Sequence, residues 1–152
     1  MTYKAMDIAN WFIWRNELED SENEKMTLLK LLKLLYYAEG CFLALDKGDL
    51  FSEEIVAWEH GPVVEEVYRN FSDPYNLTYD KNSAEKVNQN IDDKEILEQV
   101  FNIFGSYTAW ALRNKTHSET PWLKATGGGK YLNKKISKED IKNYFKENYI
   151  EG

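Results

Sequence analysis

The chain has two histidines, and both stand where chemistry could be built. His60 precedes a Gly-Pro pair, and His117 lies four residues before a Pro-Trp pair. A histidine that meets carboxylates such as Glu59, Glu65 or Glu119 suits acid–base catalysis or zinc binding. Neither histidine has a second histidine three or four residues away, so no helical metal-binding pair is present. We predict no catalytic residue, no metal and no cofactor, and keep a small enzyme using both histidines with nearby carboxylates as an alternative.

The settings of the two histidines favour a structural role. Proline suits the first position of a helix, where its missing N–H would have no partner, so Gly61-Pro62 predicts a helix start. His60 is then expected to hydrogen-bond a neighbouring backbone group while Trp58 packs inward. We expect His117 to do the same at the end of a long helix. Both histidines are interpreted as parts of a folded framework.

Two other groups that could carry chemistry are also better explained by structure. Cys41 is the only cysteine and lies in an apolar stretch, which predicts an inert buried thiol and excludes an internal disulfide. Residues 127–130, Gly-Gly-Gly-Lys, resemble a phosphate-binding loop. That motif needs a glycine where Lys124 stands and a serine or threonine where Tyr131 stands. We therefore predict a flexible turn.

Composition limits the classes of partner. The 152 residues include 19 basic and 26 acidic side chains, a net charge of −7. Nucleic acid needs clustered lysine and arginine, so it is not expected as a partner. An acidic surface would instead attract a basic protein. The chain shows no signal-peptide pattern and no apolar run long enough for a membrane span, so we expect a cytoplasmic protein that does not enter the membrane.

One helix must position most of these residues. Thr27 is a suitable N-cap, and the following leucines recur at i, i+3, i+4 and i+7. Further leucines widen this stripe until little polar face remains beyond Lys30, Lys33 and Glu39. A helix that is apolar on most sides is usually central, so we predict this one to be the core helix.

The remaining pattern predicts a mainly α protein: a single compact helical domain, residues 1–152, with a small β-hairpin or short strands. A charged break at 20–24 separates the first helix from the core helix. The other predicted elements are a helix at 7–19, a hairpin pairing 50–52 with 55–58, a helix from 62 to 71, a loop at 72–91, a long helix at 92–113, a short helix at 120–124, a strand at 131–136 and a last helix from 137.

Three segments together resemble the Panacea domain, which occurs in SocA-like antitoxins and in phage-associated proteins. They are Lys-Leu-Leu-Tyr-Tyr-Ala-Glu-Gly at 33–40, Ala-Trp-Glu-His-Gly-Pro-Val-Val at 57–64, and Thr-His at 116–117 with Pro-Trp at 121–122. The Trp-x-x-Gly-Pro-Val block is the most specific part when it follows the Lys-Leu-Leu-Tyr helix at this distance.

The resemblance implies an antitoxin that neutralises a cognate protein toxin, encoded by a neighbouring gene, through direct protein–protein binding. It also leaves open a protease adaptor that delivers the toxin for degradation. A neutralising surface needs a few aromatic anchors, and the chain has five tryptophans and ten tyrosines. An alternative is that these rings only pack the core. The residues predicted for partner binding are Trp58, His60, Gly61, Pro62, Tyr68, His117 and Trp122.

Overall fold

A computed structural model describes residues 2–19 and 25–150, so the predicted charged break at 20–24 falls outside the described residues. Those residues form eight helices and three short strands, which confirms the mainly α fold with a small sheet. The elements are α1 (Ala5–Glu17), α2 (Leu28–Ala44), β1 (Val56–Trp58), β2 (Gly61–Val63), α3 (Glu65–Asn70), α4 (Lys81–Asn88), α5 (Ile91–Phe104), α6 (Ala109–His117), α7 (Thr120–Thr126), β3 (Lys134–Lys135) and α8 (Lys138–Asn148).

Helix α2 is the centre of the molecule, as its sequence predicts. Thr27 caps it by accepting a hydrogen bond from the Lys30 backbone N–H at 3.3 Å. The helix packs against α1, α5, α6, α8 and β2. The expected polar face is partly wrong, because Lys33 and Glu39 are fully buried. Glu39 is compensated there by the Lys138 ammonium at 2.7 Å.

The small sheet differs from the predicted one. Strand β1 lies between β2 and β3 and is antiparallel to both. Trp58 pairs with Gly61, which leaves a two-residue turn. Gly61 has a φ of +113°, a value that glycine adopts readily. The Gly-Pro pair begins strand β2, and the predicted helix start at Pro62 is therefore wrong. Phe51 does not join this sheet and bridges to Tyr3 instead.

Two helix boundaries also differ from the prediction. The segment predicted as a loop at 72–91 contains α4, whose N-cap Asp80 accepts backbone hydrogen bonds and whose Ala84 and Val87 are buried. The predicted long helix at 92–113 is two helices. Gly105 follows the end of α5, and Thr108 caps α6. The apolar periodicity continues across this break, which is why it suggested one helix.

The C-terminal elements complete the core. Ser137 caps α8 by accepting a hydrogen bond from Asp140 N–H at 3.2 Å. Fully buried Phe145 lies so close to α2 that a Cβ added at Gly40 would meet its ring at 2.4 Å. The predicted strand at 131–136 is reduced to β3. A helix long and apolar enough to cross a membrane is not found in the described parts of the chain.

Candidate functional site

The β1–β2 hairpin lies directly over the core helix. A Cβ at Gly61 would come within 2.6 Å of Lys33 Cε and 2.8 Å of Thr116 Oγ1. The Lys33 ammonium donates a hydrogen bond to the Pro62 carbonyl at 3.1 Å. Glycine at 61 therefore serves both the backbone conformation and the close approach of hairpin and helix.

Lys33 is an unusual group for this position. Its side chain has no accessible surface, and burial lowers the pKa of its amine to about 7, with the nearby positive charge of Arg113 acting in the same direction. Within residues 2–19 and 25–150, it forms no ion pair. Sequence reasoning missed this residue as a functional group because a lysine at the edge of an apolar stripe usually faces solvent.

His117 ties the hairpin to α6. Its Nδ1 lies 2.8 Å from the Arg113 carbonyl oxygen and its Nε2 lies 2.6 Å from the Glu59 carbonyl oxygen. The edge of its ring also meets Trp122, with 4.2 Å between centroids. Both nitrogens are directed at backbone carbonyls, so neither is directed at a carboxylate.

Trp122 is the second tie. It is buried, and its Nε1–H donates to the Trp58 carbonyl at 3.0 Å. This bond joins α7 to the end of β1. His117 and Trp122 therefore both contact backbone carbonyls of the hairpin and fix its position, in agreement with the framework role expected for His117.

His60 is exposed in the hairpin turn, and the backbone hydrogen bond expected for it is wrong, because its partner is the side chain of Arg113. Its Nδ1 accepts a hydrogen bond from Arg113 Nε at 3.0 Å, and its ring lies 6.1 Å from that of Trp110. The Arg113 guanidinium carbon lies 4.4 Å from the Trp110 ring centre, a cation–π contact. We call His60, Trp110 and Arg113 the hairpin patch. Trp110 is 56% exposed, and sequence reasoning missed it because it counted only residues close to the family blocks.

A concave surface opens beside the hairpin patch. It has a volume of about 330 Å³ and is lined by apolar side chains of α2, with the hairpin and α3 on the other side. We call it the hairpin groove. Tyr68 stands at its edge, 45% exposed, with its ring 4.8 Å from that of Trp58. Its lining includes Leu29, Leu32, Lys33, Trp58, Tyr68 and Pro74.

Glu119 does not pair with His117, although the two are close in sequence. It is buried and accepts hydrogen bonds from the hydroxyls of Tyr36 at 2.9 Å, Tyr37 at 3.2 Å, and Tyr149. Burial raises the pKa of its carboxyl group. The network joins α2, α7 and the segment after α8, which is the arrangement of a structural polar cluster.

The other groups that could have carried chemistry also have structural explanations. Cys41 is half-buried and not fully buried as predicted, but desolvation still raises the pKa of its thiol to about 12, which fits an inert thiol. The glycines at 127–129 all have positive φ and form the turn after α7. No cluster of three or more histidine, cysteine or acidic side chains suited to a metal ion occurs in the described residues.

The structure brings the seven predicted site residues together around the hairpin. Trp58, His60, Gly61 and Pro62 belong to it, and the others contact it or its groove. Only part of this set is accessible, however. Gly61, Pro62 and Trp122 are buried, whereas His60 and Tyr68 are exposed. Their role in binding stays a prediction.

The fold and this surface define a small, mainly helical domain with an aromatic hairpin laid over a central helix. The family model described as "Antitoxin SocA-like, Panacea domain" matches residues 31–123. This match covers more than half of the chain, which therefore belongs to the SocA-like antitoxin family with the Panacea domain. No curated protein and no solved structure gives a significant match.

Proposed function

We propose that this protein is an antitoxin that neutralises a cognate protein toxin by direct binding at the hairpin surface, without catalysis. The observation that carries the proposal is the position of the family match. Residues 31–123 contain the hairpin, the hairpin patch and most of the lining of the hairpin groove.

The side chains exposed on this surface support direct binding. Tryptophan, tyrosine and arginine are the residue types most often found among the dominant contacts of protein interfaces. Trp110, Tyr68 and Arg113 lie next to the turn, and two of them are large rings open to solvent. Exposed rings of these types are able to act as anchors in a protein interface.

A small enzyme using His60 and His117 has less support. His117 directs both nitrogens at backbone carbonyls, and His60 accepts from Arg113. Both nitrogens of His117 are therefore engaged by backbone carbonyls, and among the described residues neither histidine contacts a carboxylate that would orient it as a general base. Elemental analysis of the purified protein and NMR titration of the two histidines test this alternative.

The growth of cells that express the neighbouring reading frame tests the proposal. Induced alone, that reading frame should stop growth, and co-expression of this protein should restore it. Alanine at Trp110 or Tyr68 should weaken the rescue. Ile91→Ala is the matched control, because Ile91 is 71% exposed but lines a separate hollow on α5. Toxicity that the wild-type protein does not relieve would overturn the proposal.

The same cells separate sequestration from delivery to a protease. Direct neutralisation predicts that the two proteins co-purify and that the amount of toxin is unchanged during rescue. A protease adaptor predicts that the toxin disappears, and that it remains when the host's ATP-dependent proteases are removed. Loss of toxin in this protease-dependent way would favour the adaptor.

A further inference from the structure

The negative charge of this protein is unevenly distributed along the chain. Between residues 105 and 138, seven side chains are basic and one is acidic, although the whole chain has a net charge of −7. The acidic one, Glu119, is buried and accepts hydrogen bonds from tyrosine hydroxyls. This region contains α6, α7 and β3, and both helices contact the hairpin. The hairpin patch therefore lies in a basic part of a protein that is acidic elsewhere.

Arg113 is the charged group of the hairpin patch, and its charge is not compensated by a carboxylate. Its Nε donates to His60 Nδ1 and its Nη1 donates to Asn114 Oδ1, both at 3.0 Å. An accepting ring nitrogen and an amide oxygen are both uncharged acceptors. Among the described residues, no carboxylate oxygen lies within 4.0 Å of the guanidinium. The guanidinium is therefore able to pair with an acidic group of another molecule.

The same contacts hold the guanidinium in a defined position. Its carbon lies 4.4 Å from the centre of the Trp110 ring, and the two hydrogen bonds fix Nε and Nη1. The third nitrogen, Nη2, has no acceptor in the described part of the chain and is not buried. An arginine that is already fixed on an aromatic ring loses little side-chain entropy when it binds a carboxylate. Arg113 is thus prepared for an acceptor that reaches Nη2 from solvent.

The surroundings of the hairpin patch favour a protein segment over a nucleic acid. Glu59 lies in the hairpin turn, and Glu65 and Glu66 follow the hairpin at the start of α3. These carboxylates would repel a long phosphate backbone, whereas a single carboxylate side chain reaches Arg113 without following the surface past them. Trp110 is exposed beside the guanidinium, and an exposed tryptophan next to an arginine is typical of protein interfaces.

We propose that the hairpin patch binds an acidic segment of the partner protein, with a carboxylate side chain of that segment on Arg113 Nη2 and the segment packed against Trp110. Net charge alone predicts a basic partner, whereas this surface fits an acidic one. The inference rests on the proposed antitoxin function for the identity of the partner, which is the toxin. The recognition chemistry can be tested without the toxin.

Two peptides test this chemistry on the intact protein. Acetyl-Ala-Glu-Leu-Glu-Ala-amide carries two carboxylates, and acetyl-Ala-Gln-Leu-Gln-Ala-amide has nearly the same shape without charge. The indole N–H signal of Trp110 in a ¹H–¹⁵N spectrum is assigned by its disappearance in Trp110→Phe. At about 100 mM salt, remote acidic residues are screened more than a direct contact. We expect the acidic peptide to move this signal saturably with a dissociation constant on the order of millimolar, and the neutral peptide to bind at least about threefold more weakly.

The same signal reports the results that would contradict the proposal. No saturable shift with the acidic peptide up to about 20 mM, or an equal shift with the neutral peptide, would overturn it. Tighter binding of an oligothymidylate of about eight nucleotides than of the acidic peptide would assign a nucleic-acid surface instead. A shift that appears without any peptide when the protein is concentrated from about 0.05 to 1 mM would assign a contact between two copies of this chain.

Substitutions at Arg113 separate the charge from the rest of the patch. Arg113→Met keeps the aliphatic part of the side chain and should remain folded, because the bonds that it loses are exposed; circular dichroism checks this. Its affinity for the acidic peptide should fall to that for the neutral one. Arg113→Lys keeps the charge without the planar guanidinium and should restore the preference only in part. Lys81→Met removes an exposed positive charge on α4, outside the patch, and should keep the full preference. Full preference in Arg113→Met would contradict the assignment.

The growth assay keeps the two proposals apart. If wild-type protein and Lys81→Met relieve toxicity and Arg113→Met does not, both proposals hold. If all three relieve toxicity equally, the patch proposal fails while the antitoxin function stands. If the wild type gives no relief, the antitoxin function fails, and peptide binding then decides the chemistry of the patch on its own.

Discussion

At the scale of single residues, Gly61 shows how tightly the hairpin is fitted to the core. Its φ of +113° strains any other residue, and a Cβ would overlap Lys33 and Thr116. Together these effects should lower the free energy of unfolding of Gly61→Ala by about 2–4 kcal/mol in urea denaturation. Gly48→Ala is the control, because Gly48 also has positive φ but no atom within 4 Å of the added Cβ. An equal loss in both variants would mean that the close approach contributes nothing.

Lys33 should leave a signature in the pH dependence of stability. Its pKa is lowered from 10.5 to about 7 in the folded state, so between these values the unfolded chain binds more protons. The free energy of unfolding therefore rises with pH between about 7 and 10.5. This contribution of Lys33 is lost as the pH falls to about 7, and it does not change further at lower pH. From pH 7 to pH 9 the gain should be about 2 kcal/mol.

Urea titrations of the wild type and of Lys33→Met at several pH values measure this effect. The difference between the two curves isolates Lys33, because other titrating groups are common to both. A difference that does not change between pH 7 and pH 9 would show that the amine keeps its charge in the fold.

At the scale of elements, the hairpin depends on α6 and α7 for its position. His117→Phe keeps the ring against Trp122 and removes the contacts to the carbonyls of Arg113 and Glu59. We expect a loss of about 1–3 kcal/mol in stability and faster amide exchange in β1 and β2 than in α2. His60→Ala, on the exposed side of the same hairpin, should cost less than about 0.5 kcal/mol. Equal exchange rates in both variants would contradict the role assigned to His117.

A comparison of the helices and strands with their predictions shows which sequence signals were sufficient to place an element. The core helix α2 and the last helix α8 were predictable because their caps, Thr27 and Ser137, and their apolar faces agree. The hairpin was predicted in the wrong place, since Gly-Pro is compatible with a helix start as well as with a strand that begins at positive φ. Only the approach of Lys33 and Thr116 from distant segments decides between them.

Part of the candidate site could also be predicted from the sequence. The family blocks directed attention to the hairpin and to His117, which the fold does bring together. The burial of Lys33 and the missing acceptor of Trp58 Nε1 were not predictable, because both arise from packing between distant segments of the chain. Trp110 gave no signal in the sequence beyond an aromatic residue on an amphipathic helix.

At the scale of the whole molecule, the core extends beyond the residues that define the family. Phe145 of α8 lies outside 31–123 and yet packs on Gly40 and against the ring of Tyr36. Phe145→Ala should lower the free energy of unfolding by about 3–5 kcal/mol, and the loss of structure should remain a single transition by circular dichroism and tryptophan fluorescence.

Lys146→Ala on the same helix is the control, because its ion pair with Asp46 is exposed and its loss should leave the unfolding transition essentially unchanged. Two separate transitions in Phe145→Ala would contradict a single cooperative unit. They would indicate that the family region folds independently of α8.

The late position of Phe145 and Tyr149 has a consequence for synthesis in the cell. The face of α2 that carries Tyr36, Tyr37 and Gly40 is covered by residues that the ribosome adds more than a hundred positions later. At usual elongation rates that interval lasts roughly 6–20 s. During it the nascent chain exposes an apolar helix, which chaperones and proteases recognise. Each newly made molecule must therefore survive this interval before it can fold.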